Sequence, residues 1–223
     1  MVRSSPRTTT LGMGLAVSLL LTACGGGTVT PQPTTPAITT PPAPGPTSPG
    51  AGPSESPVPT ESPVPVETNP PGDIPDDVAF VPFTSKPGGF TISTPEGWAR
   101  TATSKSVTFT DKLNTVVVSW TPASSAPTVA SVKKNQVPEL TSTERAFELG
   151  SITTAALPAG AAVIIEYQAN SEPNAVTGKQ YRLDVQLYVL FHSGREIAIG
   201  LRSPVGSDNV DPWRIVTESF RWA

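Results

Sequence analysis

The sequence predicts an α+β domain over residues 78–223, in which an antiparallel sheet is combined with a mid-domain helix and a C-terminal helix. Three patterns indicate this class. Apolar and polar residues alternate from Tyr181 to Val189, which is the period of a half-covered β-strand. Apolar residues recur at helical spacing in TVASVKKNQVPEL, which begins at Thr128, and in DPWRIVTESF, which begins at Asp211. Strands before, between and after these segments favour an α+β arrangement.

The domain opens with a short strand that ends in a turn. Phe90 and Ile92 alternate with polar residues, as expected of a half-buried strand. Pro95 and Gly97 end that strand and turn the chain, which lets Trp98 cover the edge of the core. The stretches KSVTFT and TVVVSW then form a predicted hairpin, with DKLN as its turn.

The mid-domain helix has a start signal and an internal breaker. Thr128 follows Pro127 and is a suitable N-cap. Pro138 lacks an amide proton and should end or kink the helix.

Strands return after this helix. Residues 161–167 and 181–189 alternate clearly, and residues 197–201 run back antiparallel after the tight connection HSGR. One face of the second of these strands is polar, which predicts solvent on that side; its residues are Arg182, Asp184 and Gln186.

The chain ends in a predicted amphipathic helix. Asp211 is the candidate N-cap, and Pro212 suits the first helical position. An apolar stripe at helical spacing is formed by Trp213, Val216 and Phe220. Trp222 is expected to pack beside it.

The N-terminus has the order of features of a lipoprotein signal peptide. Arg3 and Arg7 precede an apolar run over residues 11–21, which is too short to span a bilayer. The run leads into Leu-Thr-Ala-Cys, which resembles the bacterial lipobox and contains Cys24, the single cysteine of the chain. The resemblance implies that residues 1–23 are removed and that Cys24 is lipidated. The protein would then be anchored to the cell membrane on its extracytoplasmic face.

Residues 24–77 are predicted to be a disordered linker. Sixteen of the 27 prolines lie between Pro31 and Pro75, among many Thr and Ser residues and without Lys or Arg. Such a composition buries too little apolar surface to offset the entropy of ordering the chain. About 50 residues at ~3.1 Å each give an upper reach of roughly 150 Å.

Three segments of the domain carry a family resemblance. The opening GFTISTPEGW, the hairpin YRLDVQLYVLFHSGREIAIGL and the terminal WRIVTESFRW resemble the PsbP-like Mog/PsbP superfamily. With the lipobox and linker, the chain is similar to LpqN-type lipoproteins of actinobacteria. The resemblance implies an α-β-α sandwich and a role as an adaptor, assembly factor or envelope-lipid-associated protein. It supplies no catalytic residue to carry over.

The residues offer little for catalysis, metal binding or nucleic acid binding. His192 is the single histidine, its neighbour Ser193 lies on the same tight turn, and no G-x-S-x-G elbow occurs. We therefore predict no catalytic residue, no metal and no cofactor, with an envelope hydrolase as the alternative. From residue 78 onward 13 basic and 12 acidic residues nearly balance, which argues against a nucleic acid partner.

The tryptophans are the candidate ligand-binding residues. A recess between the sheet and the terminal helix, edged by Trp213 and Trp222, could hold a lipid or a peptide, and Trp98 is the third candidate. For each tryptophan, packing in the core is the competing interpretation. The sequence thus favours a lipid-anchored binding module that holds a protein partner or an envelope lipid. A structural surface lipoprotein is a further alternative.

Overall fold

The computed structural model describes residues 61–68 and 72–223. The predicted signal peptide 1–23, the lipidation residue Cys24 and the linker up to residue 60 lie outside the described residues. In the described ranges, no helix has the length and apolar character needed to cross a membrane.

Runs of consecutive strands, interrupted by two single helices, give the element order of an α+β domain. The elements are β1 (Phe80–Ser85), β2 (Phe90–Pro95), β3 (Ala99–Ala102), β4 (Ser106–Asp111), β5 (Asn114–Pro122), α1 (Val129–Thr143), β6 (Glu148–Leu157), β7 (Gly160–Asn170), β8 (Arg182–His192), β9 (Arg195–Pro204), α2 (Val210–Ser219) and β10 (Arg221–Trp222).

The strands form two antiparallel sheets. The large sheet has the order β3-β4-β5-β9-β8-β7-β6, and the small sheet has the order β1-β2-β10. The predicted hairpin at HSGR is confirmed: His192 pairs with Arg195, and Ser193 and Gly194 take the positive φ angles of a two-residue turn, 48° and 80°. The α+β class predicted from the sequence is therefore confirmed.

Each face of the large sheet packs against its own layer. On one face, α2 and the small sheet share a core that includes Phe90, Ile199 and Phe220. On the opposite face, Val132 of α1 packs in a second core, which includes Ile165. Alternation along the strands separates the two cores, and the result is the α-β-α arrangement that the family resemblance implies.

The start of α1 follows the sequence prediction, but its end does not. The Thr128 hydroxyl accepts from the Ser131 amide at 3.0 Å, and the Ser131 hydroxyl accepts from the Thr128 amide at 2.8 Å. Pro138 does not end the helix, which continues to Thr143. A proline removes one helical hydrogen bond, and the packing of Leu140 against the second core holds the next turn in place.

The prediction that Asp211 caps α2 is wrong. The helix begins at Val210, its N-cap is Asn209, and no side chain caps it. The side-chain amide of the buried Asn209 bonds to residues 72–74 and not to α2. Its oxygen accepts from the Ile74 backbone amide at 2.8 Å, and its nitrogen donates to the Gly72 carbonyl at 2.8 Å. Asp211 lies in the first turn instead and pairs with an arginine one turn later.

Residues before position 78 contribute to the packed unit. Ile74 is 4% exposed and belongs to the core beneath α2. The Gly72 carbonyl also accepts from Asn114 at 2.8 Å, so the strap of residues 72–74 is tied to β5 as well as to the loop before α2. The described contacts with the domain therefore begin N-terminal to the predicted boundary.

A partly buried ion pair fixes the end of α1 to the sheet. Glu144 caps α1 and accepts from both terminal nitrogens of Arg202 on β9, with an Nη1–Oε2 distance of 2.9 Å. The Tyr167 hydroxyl donates to the same carboxylate at 3.0 Å. Burial raises the pKa of Tyr167, so the phenol stays a donor.

We expect Arg202→Met to lower the free energy of unfolding by about 1–3 kcal/mol, because the Glu144 carboxylate loses its charged donor while remaining 14% exposed. Urea unfolding of the mature chain measures the change. Arg214→Met is the matched control, because that side chain is 55% exposed and its solvent-screened ion pairs should contribute much less. Equal effects of the two substitutions would show that the Glu144–Arg202 ion pair stabilises the domain no more than an exposed pair does.

Candidate functional site

The main concavity of the described residues lies between the large sheet and α2. It has a volume of about 770 Å³ and is lined by β6, β7, β8, the end of β9, the loop before α2 and α2 itself. We call it the cleft. Its floor is the sheet face opposite to α1, where α2 and the small sheet leave the strands β6–β8 partly uncovered.

One end of the cleft is apolar. Ile164 on β7 and Tyr188 on β8 are directly paired across the strands and form the floor there. Leu157 lies on the β6 side, and the indole of Trp213 lies on the α2 side and is only 7% exposed. Val210, 75% exposed at the start of α2, adds apolar surface to the lining of the cleft. This end can take an aliphatic or aromatic group out of water.

The other end of the floor is polar, and its side chains are ordered by cross-strand hydrogen bonds. Glu166 pairs with Gln186 across β7 and β8, and Gln168 pairs with Asp184 in the next row. The Gln168 amide donates to the Asp184 carboxylate at 2.9 Å. The Ser151 hydroxyl donates to Glu166 at 2.8 Å. These bonds hold both carboxylates on the floor without neutralising them.

The cleft is acidic. Arg214 is the one basic residue that lines it, and this guanidinium is already paired with Asp211 at 3.1 Å and with Glu218 at 3.5 Å. Within residues 61–68 and 72–223, neither Glu166 nor Asp184 forms an ion pair. Their negative charge is therefore free to meet a cationic group of a ligand.

A buried arginine supports the polar end from beside the floor. Arg182, at the start of β8, is 4% exposed and donates to the Ala146 carbonyl at 2.7 Å and to Glu148 at 2.9 Å. Its Nε also donates to the Gln168 amide oxygen at 3.3 Å. That bond orients the amide so that its nitrogen faces Asp184. Arg182, which the sequence places on a solvent-facing surface, is thus a buried positioning residue.

The phenol of Tyr188 joins the two ends. Its hydroxyl donates to Gln186 at 3.1 Å, and its ring belongs to the apolar end. Burial, together with the nearby charge of Glu166, raises the pKa of Tyr188. The phenol is therefore a neutral donor throughout the physiological range.

The three predicted tryptophans do not share one site. Trp213 lines the cleft, as expected of a recess between the sheet and the terminal helix. Trp98 packs edge-on against Trp213, with ring centroids 6.3 Å apart, and lines a smaller cavity of about 230 Å³. Trp222 packs against Phe220, and its indole donates to the Ala159 carbonyl at 2.9 Å. A role for Trp98 and Trp222 in binding stays a prediction.

His192 lies outside the cleft lining. Its ring lies against Trp222 with centroids 5.3 Å apart, on the exposed β8–β9 turn. In the part of the chain that the structure describes, no group of three or more His, Cys, Asp or Glu residues is arranged to hold a metal ion.

Sequence reasoning missed most of the cleft floor. Asp184 and Gln186 are on the polar face of β8, and Asp184 is exposed, as the alternation predicts; the alternation does not predict that this face forms the floor of a cleft. Glu166 and Ile164 share that face on β7. The mixture of Ile164 with charged residues on one strand face indicates a partly covered face, because an isoleucine is unusual on a strand face that is fully exposed to solvent.

Comparisons with known proteins find a likeness of fold. No family model matches the chain, and no curated protein matches it significantly. Several solved structures do. The Ran-binding protein Mog1p of Saccharomyces cerevisiae is 8% identical, covers 65% of this chain and 95% of its own, and has a TM-score of 0.46. The PsbP protein CyanoP of Synechocystis is 15% identical, with coverages of 70% and 100% and a TM-score of 0.46.

A third match is LpqN of Mycobacterium tuberculosis, described as involved in cell envelope biogenesis. It is 16% identical, covers 66% of this chain and 91% of its own, and has a TM-score of 0.40. Mog1p, a PsbP protein and LpqN are thus all among the solved structures that the chain resembles, as the sequence resemblance implies. Likeness of this degree assigns no ligand to the cleft.

We expect Glu166→Gln to lower the pKa of Tyr188 while leaving it above that of an exposed tyrosine, because the substitution removes a nearby negative charge but not the burial. Ultraviolet titration of tyrosinate measures the midpoint, and Tyr188→Phe identifies which of the three tyrosines carries it. An unchanged midpoint in Glu166→Gln would show that the carboxylate does not face the phenol.

Proposed function

We propose that this protein is a non-catalytic binding module, anchored through lipids on Cys24 to the extracytoplasmic face of a cell membrane, and that the cleft holds its ligand. The observation that carries the proposal is the cleft itself. It combines an apolar end with a fixed polar floor, which is the usual composition of a binding site. The Pro-rich segment after Cys24 acts as a tether between membrane and domain.

The charge of the cleft favours a protein partner. The unpaired carboxylates of Glu166 and Asp184 repel an anionic phospholipid headgroup and attract a lysine or arginine side chain. The apolar end, between Ile164 and Trp213, suits an aliphatic or aromatic side chain next to that basic residue. The ligand that fits best is a basic, partly apolar segment of an envelope protein.

An envelope lipid is the second candidate. The volume of about 770 Å³ lies within the range of small-molecule sites, roughly 300–1,000 Å³. The exposed side chains of Val210 and Leu149, 75% and 38% exposed, give an acyl chain apolar surface to enter along. Such a lipid would need a neutral or cationic headgroup to tolerate the carboxylates.

The anchor has a direct test. Cys24→Ser removes the thiol that would be acylated, so we expect the protein to leave the membrane fraction or to keep residues 1–23. Fractionation and the intact mass of the protein measure both outcomes. A Cys24→Ser protein that fractionates and migrates like the wild type would contradict the lipoprotein assignment.

The cleft is tested by reversing one charge on its floor. We expect Asp184→Lys to lower the yield of a crosslinked protein partner about tenfold in cells, because a basic segment would meet a like charge. His192→Ala, outside the cleft, is the matched control and should leave the yield unchanged. Mass spectrometry of the purified protein distinguishes the candidates, since bound lipid without a protein adduct favours the lipid. The proposal would be contradicted if the purified protein carried no lipid and cells gave no adduct that depends on the cleft.

A further inference from the structure

A glutamate near the end of the Pro-rich segment is held by a notch in the domain, which Arg145, Asn170 and Gln180 form. The Glu61 carboxylate accepts from Arg145 at 2.9 Å, from the Gln180 amide at 3.2 Å and from the Asn170 amide at 3.5 Å. Hydrogen bonding from Gln180 and Asn170 and the charge of Arg145 hold the pKa of Glu61 below its usual value. The notch therefore binds the ionised carboxylate.

The same notch recognises the backbone that follows. The Asn170 amide nitrogen donates to the Ser62 carbonyl at 2.9 Å, and its oxygen accepts from the Val64 amide at 3.1 Å. Asn170 is 3% exposed, so its amide is fixed. The two bonds require an extended chain in which residue 64 keeps its amide proton, while Pro63 and Pro65 restrict the flanking backbone.

A second carboxylate is bound six residues further on. Glu67 forms an ion pair with Lys179, whose ammonium also lies 4.6 Å from the centre of the Tyr181 ring. In a polyproline helix, with three residues per turn, positions six apart lie on the same side. The spacing of Glu61 and Glu67 thus presents both carboxylates to the domain.

The sequence contains this pattern twice. Residues 55–61 read ESPVPTE and residues 61–67 read ESPVPVE, so the two copies share Glu61 and differ only at Thr60 and Val66. Val66 is 55% exposed in the docked copy. A threonine at that place would lose little contact, and all the groups that the notch and Lys179 recognise are present in both copies.

We propose that the domain binds the repeat in two registers that differ by six residues. In the second register, Glu55 takes the place of Glu61 at Arg145, and Glu61 takes the place of Glu67 at Lys179. The exchange conserves both ion pairs and both Asn170 hydrogen bonds. The exchange adds six residues to the stretch between the bound repeat and β1. It removes six residues, about 19 Å of extended chain, from the tether between Cys24 and the bound repeat. The domain can thereby sit at two distances from the anchor.

Zero-length carbodiimide coupling of the full chain tests the registers, because it inserts no spacer and so joins a lysine amine to a carboxylate only where the two groups come into contact. Lys179 is 49% exposed and accessible to the reagent. Tandem mass spectrometry of the digest then identifies the carboxylate that is joined to Lys179. We expect an amide from Lys179 to Glu67 and a second one from Lys179 to Glu61.

Two substitutions form a matched pair that shifts the registers in opposite directions. Glu67→Ala removes an ion pair of the observed register alone and should raise the Lys179–Glu61 product about two- to fivefold, the range for one exposed pair. Glu55→Ala removes an ion pair of the second register alone and should lower that product by a similar factor.

The absence of the Lys179–Glu61 product in the wild type and in Glu67→Ala would overturn the proposal. A product that is present but unaffected by Glu55→Ala would also overturn it, because Glu61 would then reach Lys179 without the register shift.

Discussion

The cleft exists because α2 is too short to cover the sheet that it packs on. Ten residues of helix extend about 15 Å, whereas the eleven residues of β7 or β8 extend about 36 Å. The small sheet covers the side of β4, β5 and β9, and no described element covers the β6–β8 face beyond α2. That uncovered face is where the chain can meet a ligand without disturbing its core.

The strands of this region have two faces with different roles. On β7, Val163, Ile165 and Tyr167 point into the core beneath α1 and determine the stability of the sheet. The residues between them, Ile164 and Glu166, point into the cleft and are not needed for the core. Alternation thus lets one strand combine a fixed packing face with a face whose side chains can be chosen for recognition.

The sequence predicted those features that depend on residues close to one another along the chain. The alternation around Tyr181–Val189, the turn at HSGR and the Thr128 cap all depend on neighbours in sequence, and all are found in the structure. The start of α2 could not be predicted in this way, because the side chain of its N-cap, Asn209, hydrogen-bonds to the backbone amide of Ile74, 135 residues away. The cleft could not be predicted from the alternation, because a polar strand face looks the same in sequence whether it is flat or forms the floor of a concavity.

On the proposed function, the cleft is in contact with its ligand in the cell. The most direct measurement of that contact is photo-crosslinking in growing cells, with a photoreactive amino acid in place of Leu157 at the apolar end and, as the control, in place of Lys133 on the exposed side of α1. The account predicts a discrete adduct from position 157 that Asp184→Lys suppresses, and none from position 133. Equal adducts from both positions, or none from position 157, would contradict it.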